Sequence, residues 1–221
     1  GGTGLGLTIS KNLTELLGGE IGGGSVSGQG KGAISIDFFP DQPARFALNS
    51  DLEGVTMRVG DLGWSKPAGR TGQLTVEGQL GSVPVIDALT LEAPGLMAAG
   101  RVALAADGGL ERAEFDRVQL GGWLDAPVVL EGRGPGLSPA VIVTGGSADM
   151  RRATFSAGSG SGEDAPVRLT LDRLTIAEGI RLTRFNADLS RKGGLNGTFT
   201  ARVDGGTAIR GTVAPRPDGS A

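Results

Sequence analysis

Histidine, cysteine and tyrosine are absent from this chain of 221 residues, and Phe (7) and Trp (2) are scarce. Without His or Cys the commonest general base, the thiol nucleophile and the usual transition-metal ligands are missing, so chemistry built on them is excluded. Disulfides are excluded too, which leaves an oxidising and a reducing compartment equally open. Few rings are present to fill a thick interior. No apolar run is long enough to cross a bilayer. The net charge of -3 comes from both signs interspersed along the chain. No basic stripe exists to neutralise a phosphate backbone, and nucleic acid is not an expected partner.

What is abundant is Gly (41), with Pro (11) beside it. Beyond about residue 42, Leu, Val, Ile and Ala alternate with Thr, Arg, Asp and Ser over short runs, as in "GQLTVEGQL" (Gly72 to Leu80) and "GRVALAAD" (Gly100 to Asp107). Such alternation is the pattern of strands with one wet face. Between the runs stand "KPAG", "APGL", "DGGL" and "KGGLNG", all of them turn chemistry. The expected fold is therefore all-β and mostly antiparallel, built from hairpins. A loose repeat is also legible in "IDALTLEAPGL" from Ile86, "FDRVQLGGWL" from Phe115 and "LDRLTIAEGI" from Leu171, with "VTGGSADM" from Val143 as a degenerate copy. It sets Asp87, Asp116 and Asp172 at equivalent places, which we assign to turns and solubility next to strand starts. A two-strand hairpin per unit fits that spacing. A closed sandwich or barrel and a parallel β-helix remain open on the pattern alone.

Alternation puts Leu74, Val76, Leu89, Leu91, Val102, Leu104, Val118, Leu120, Val128, Leu130, Leu169 and Leu171 on the apolar face of their strands. If the sheet curls with no second layer over that face, these side chains line a trough fit for acyl chains. Trp64 and Trp123 are expected to cap the same face. "SAGSGSGEDAP" (Ser156 to Pro166) reads as a hairpin tip.

The first forty residues differ. "GGTGLGL" runs into "TISKNLTELLGG", a glycine loop followed by an amphipathic helix with Gly18-Gly19 as its stop. The segment Gly1 to Pro40 resembles the end of the ATP-binding domain of sensor histidine kinases, whose lid and second glycine box have this order: glycines, helix, "GG.I", strand, "S..G.G", strand, Pro. The resemblance implies that Gly2, Gly4 and Gly6 lie against ATP phosphates. It also exposes what is missing, since the family's Asn-bearing helix and adenine-reading Asp loop have no counterpart here and no His exists to accept a phosphoryl group. We expect a remnant, without a cofactor and without catalysis.

The remainder, residues 41–221, is expected to form one β-groove domain, and about residues 42–213 of it carry a second resemblance, the tail beyond Val213 being rich in Pro and Gly. "DLEGVTMRVGDLGWSKPAG", "APGLMAAG" and "GGWLDAPVVLEGRG" look like the AsmA-like superfamily, in particular its large YhdP-type proteins of Gram-negative bacteria. That resemblance implies an extended, twisted sheet curled into a groove. It also implies a periplasmic location, an inner-membrane anchor supplied by segments absent from this chain, and phospholipid as partner. The two resemblances imply opposite sides of a membrane, so we expect a join near residue 40 of unrelated pieces. The alternatives carried forward are an ATP-binding kinase remnant and a structural β-domain for envelope protein contacts.

Overall fold

The computed structural model describes residues 5–8, 24–59, 62–153, 164–191, 194–204 and 206–214, and the elements among them are all strands. The chain begins with β1 (Leu5–Thr8), β2 (Gly24–Gly28), β3 (Lys31–Asp37), β4 (Ala44–Ser50), β5 (Val55–Val59), β6 (Trp64–Lys66) and β7 (Gln73–Leu80). Two hairpins follow, β8 (Val85–Ala93) with β9 (Leu96–Leu104), and β10 (Leu110–Leu120) with β11 (Leu124–Glu131). Then come the interrupted pair β12 (Ala140–Thr144) and β13 (Ser147–Asp149), the long β14 (Pro166–Ala177) and β15 (Ile180–Ser190), and finally β16 (Asn196–Val203) and β17 (Ala208–Val213).

A 14-stranded sheet runs β1-β3-β4-β7-β8-β9-β10-β11-β12-β14-β15-β16-β17, with β13 paired to β11 and β14. Neighbours are antiparallel except where β12 and β13 meet β14 in parallel. The all-β, hairpin-built expectation holds. The parallel step arises because "VTGGSADM" is not followed in space by its own return strand; the chain passes through residues 150–165 before β14 begins. The hairpin tip predicted there lies mostly outside the described residues.

A second sheet has three strands, β2-β5-β6. In the chain β2 leads into β3, β4 into β5 and β6 into β7, and β3, β4 and β7 are neighbours in the large sheet. Three adjacent strands thus turn a corner together and change sheets, a recognised way for a β-layer to fold over itself. The corner needs backbone that ordinary residues avoid: Gly28 has φ 97°, Gly54 φ 82° and Leu52 φ 55°. A side chain on Gly54 would overlap the Gln29 carbonyl oxygen.

Strands from both sides of residue 40 are partners. In β3, Ile34 faces Leu48 and Ile36 faces Phe46 of β4, while Val26 of β2 faces Met57 of β5. The phosphate-loop expectation fares differently by residue. Gly6 sits within β1 opposite Ala33, an extended position and not a loop, whereas Gly2, Gly4 and the predicted helix from residue 9 onward lie outside the described residues.

Candidate functional site

Because residues two apart along a strand share a face, register decides whether apolar positions become isolated spots or continuous rows. Here they become rows. One row passes Leu48, Val76, Leu89, Gly100, Phe115, Val128, Val143, Leu169, Ala187, Phe199 and Gly211, each the register partner of the next from β4 to β17. Beside it runs Phe46, Gly78, Ile86, Val102, Ala113, Leu130, Val141, Val167, Leu189 and Gly197. Leu74, Leu91, Ala98, Val118 and Ala126 form a shorter third row. Two of the few rings lie over glycines of the adjoining strand: a methyl on Gly78 would stand 2.9 Å from the Phe46 ring, and one on Gly211 would stand 2.7 Å from that of Phe199. A ring that overlies a glycine covers the gap its missing side chain leaves. Phe185 and Phe199 stack with centroids 5.5 Å apart.

The strands bend where alternation slips. The ladder shifts register between Ile86 and Leu89, between Phe115 and Val118, and between Thr183 and Asn186, where Arg184 adopts φ 49°. In the same zone Gly145 (φ 97°) and Gly146 (φ 77°) separate β12 from β13. Opposite them, the amides of Asp172 and Arg173 both donate to the Gly146 carbonyl, and the Asp172 carboxylate accepts from Gly146 N–H at 2.9 Å. A bulge puts an extra residue in one strand, which bends it and increases its twist. Aligned bulges across neighbouring strands therefore curl the sheet. This corrects the reading of the acidic repeat: Asp116 and Asp172 are mid-strand, Asp87 and Asp116 stand at register shifts, Asp172 stands where β14 changes phase in register with both neighbours, and all three are exposed.

The positions predicted to line a trough share the inner face. Leu74, Val76, Leu89, Leu91, Val102, Leu104, Leu120, Val128, Leu130 and Leu171 are buried, and Val118 and Leu169 are half-buried against the same cluster. Their walls are thus packed away from water and do not stand open as predicted. Among the described residues, what lies over this face is the curl of the sheet itself and, at the β4–β9 end, the three-stranded corner. From that corner Leu52, Val55, Met57 and Trp64 join the cluster. Trp64 caps the face as predicted, donating its indole N–H to the Pro94 carbonyl at 2.9 Å.

Lys66, read in the sequence only as part of a turn, is wholly buried at 0% exposure. Its Nζ donates to the carbonyls of Leu52 (2.6 Å), Val55 (2.8 Å) and Pro67 (3.4 Å), holding both limbs of the corner. Burial pushes the ammonium below the usual lysine range, and the Asp51 carboxylate pulls it back up. The alternation of "WSK" was its only sequence signal.

The outer face is charged and cross-braced. Arg112 bridges Glu114 and Glu131, each at 2.6 Å, and Arg101 also pairs with Glu114. Arg117 grips Asp125 through both nitrogens at 2.8 and 2.6 Å; that fork, with Gln119 adding a further bond, holds the Asp125 carboxyl at about 2 against burial that opposes it. Beside this pair a cleft of about 880 Å³ opens on the polar side of β7–β11, β13 and β14. Its floor is another row in register: Gln73, Glu92, Met97, Gln119, Asp125, Ser147 and Arg173. Half-buried Trp123 lines its end and is not a cap for the apolar face alone. The "APGLMAAG" and "GGWLDAPVVLEGRG" stretches supply two of its walls, but nothing in them marks a cleft, because its floor residues lie one per strand.

Comparison of the chain with protein-family models, with curated proteins and with solved structures yields no match.

Proposed function

We propose that the chain is a non-catalytic segment of an AsmA-like envelope protein, periplasmic in its parent, whose curled sheet carries phospholipid acyl chains along its inner rows. The observation that supports this most is the unbroken row from Leu48 to Gly211, which crosses the sheet perpendicular to its strands without a polar side chain. A closed core requires apolar area but not a continuous track along one axis. A hydrocarbon chain does require one, and each methylene it buries contributes about 0.8 kcal/mol. The head group would stay at the rim, in water.

A second reading is favoured by a different observation. The rows are packed without a ligand, as in a structural β-domain that contacts other envelope proteins. The two separate on lipid content. Chain purified from Gram-negative envelopes is extracted and its lipids identified by mass spectrometry, and the delipidated chain is titrated with a fluorescent phospholipid. The conduit reading expects bound phospholipid and saturable uptake, with uptake reduced about tenfold, or 1.4 kcal/mol, by Ala113→Phe, which fills the inner face, or by Leu104→Asp at its rim. Thermal melting of each variant verifies its fold. A folded wild-type chain that neither co-purifies with phospholipid nor takes up the probe leaves the structural reading in place.

A further inference from the structure

We propose that the outer-face cleft is a binding site for a linear, uncharged, polyhydroxylated ligand, an oligosaccharide lying across the strands. This assignment uses the face opposite the apolar rows and does not depend on the lipid reading.

Direction comes first. The floor residues are register partners on successive strands, so side chains are presented about every 4.8 Å, close to the length of one sugar unit in an extended glycan. A ligand of regular repeat crossing the strands therefore meets a polar side chain at each strand but β9, where Met97 stands.

The kind of group follows. Gln73, Glu92, Gln119, Asp125 and Arg173 carry planar amide, carboxylate and guanidinium ends, which can take or give paired hydrogen bonds to neighbouring hydroxyls. Arg117 fixes the Asp125 carboxylate from one side, leaving acceptor capacity toward the cleft. The Arg173 guanidinium makes no hydrogen bond or ion pair with any described residue, and it lines the same space. Trp123 contributes an aromatic surface at the end of the row, suited to the C–H face of a sugar ring.

Charge narrows the class. Arg117 neutralises Asp125 and Arg151 neutralises Asp149, which leaves Glu92 and Arg173 to offset each other on the cleft's lining; with no surplus of cations there, the site is not built to select a phosphorylated or sulfated ligand over a neutral one. Apolar ligands are disfavoured because filling the cleft with hydrocarbon would cover the ends of Glu92 and Arg173 without giving them partners.

The test titrates the full chain with chitohexaose, cellohexaose and maltohexaose, and separately with inorganic phosphate, by calorimetry and by tryptophan fluorescence. Trp64 is buried beneath the corner, so Trp64→Phe is made to leave Trp123 as sole reporter. Saturable binding of at least one hexaose is expected, with a change in Trp123 emission and no binding of phosphate. Arg173→Ala and Gln119→Ala, both on the outer face, should each weaken it about tenfold without lowering the melting temperature. Absence of binding to all three hexaoses overturns the proposal. So does binding of phosphate in their place, or hexaose affinity unchanged in both variants.

Discussion

A single lysine organises the corner that covers one end of the inner face. Backbone carbonyls cannot be mutated away, so removing the ammonium strands acceptors in a dry place. Leu52 O retains the Val55 N–H at 3.2 Å as a second donor, and relief of the buried charge offsets part of the loss. Lys66→Met should therefore destabilise the chain by about 1–3 kcal/mol in urea unfolding, and equal or greater stability of the variant would refute that role. A second residue-level expectation concerns acid. The folded pKa of Asp125, about 2, lies below its ordinary 3.8, so its contribution is complete above the ordinary value and is lost as pH falls through the folded one. Arg117 and Asp125 are both more than a third exposed, and water screening keeps the effect modest. Melting temperatures of the wild type and Asp125→Asn should differ at about pH 4 and converge near pH 2; a constant gap would assign the difference to something other than titration. Neither residue was legible beforehand for its role. Lys66 looks like any turn lysine until Leu52 and Val55 are folded beside it, and Asp125 acquires its partner only across the β10–β11 hairpin.

At the level of the strand, the repeat in the sequence has a geometric meaning. Ile86 and Leu89, Phe115 and Val118, and Leu171 and Leu174 are each three residues apart, yet both members of each pair face inward, fully or partly buried. A regular strand returns to the same face every two residues. An apolar residue, Asp, a spacer and another apolar residue therefore spell out one residue too many, which is a bulge at Ile86–Leu89 and at Phe115–Val118 and, at Leu171–Leu174, a change of phase made in register with both neighbours. The alternation showed which positions are apolar-facing, and all twelve predicted lining residues do share the inner face. The phase slip is present in the same letters, where an Asp followed by a spacer resembles turn chemistry. Deleting Arg117 tests it. With the extra residue gone, Phe115, Val118 and Leu120 stand two apart on one face of a regular strand, so the variant keeps its inner face and loses the bulge together with the Arg117 ion pair to Asp125. It should still melt cooperatively by circular dichroism, and Arg117→Ala, which keeps the residue count, should cost no more than about 1 kcal/mol. Deleting Asp116 and Arg117 together leaves Val118 next to Phe115 and turns Val118 and Leu120 outward, each forfeiting about 1.5–3 kcal/mol, and should abolish cooperative melting; a double deletion that melts like the wild type would show that the residue count does not set which face these side chains take.

For the molecule as a whole, local pattern predicted hairpins and long-range pairing decided the rest. The order β8 to β11 follows the chain because its turns are short. The parallel meeting of β12 with β14 and the passage of β2, β5 and β6 into a second sheet depend on partners distant in sequence, which no run of residues specifies by itself. The same global closure bears on the lipid reading. Val76 is 0% exposed and Leu74 1%, so the walls must separate before a hydrocarbon chain can lie between them. If the loadable state is a minor population, apparent affinity falls by that fraction, and the rate of loading is limited by opening once lipid is plentiful. Uptake of a fluorescent phospholipid from vesicles should then level off with rising vesicle concentration at a rate set by the protein. Loosening the bend with Gly146→Ala should raise that plateau, because a methyl there would stand 2.6 Å from the Ala126 backbone and force the left-handed φ of 77° onto an ordinary residue, destabilising the closed form by about 1–3 kcal/mol. A rate that instead climbs in proportion to vesicle concentration, unaltered by the substitution, would mean that hydrocarbon enters without the walls parting.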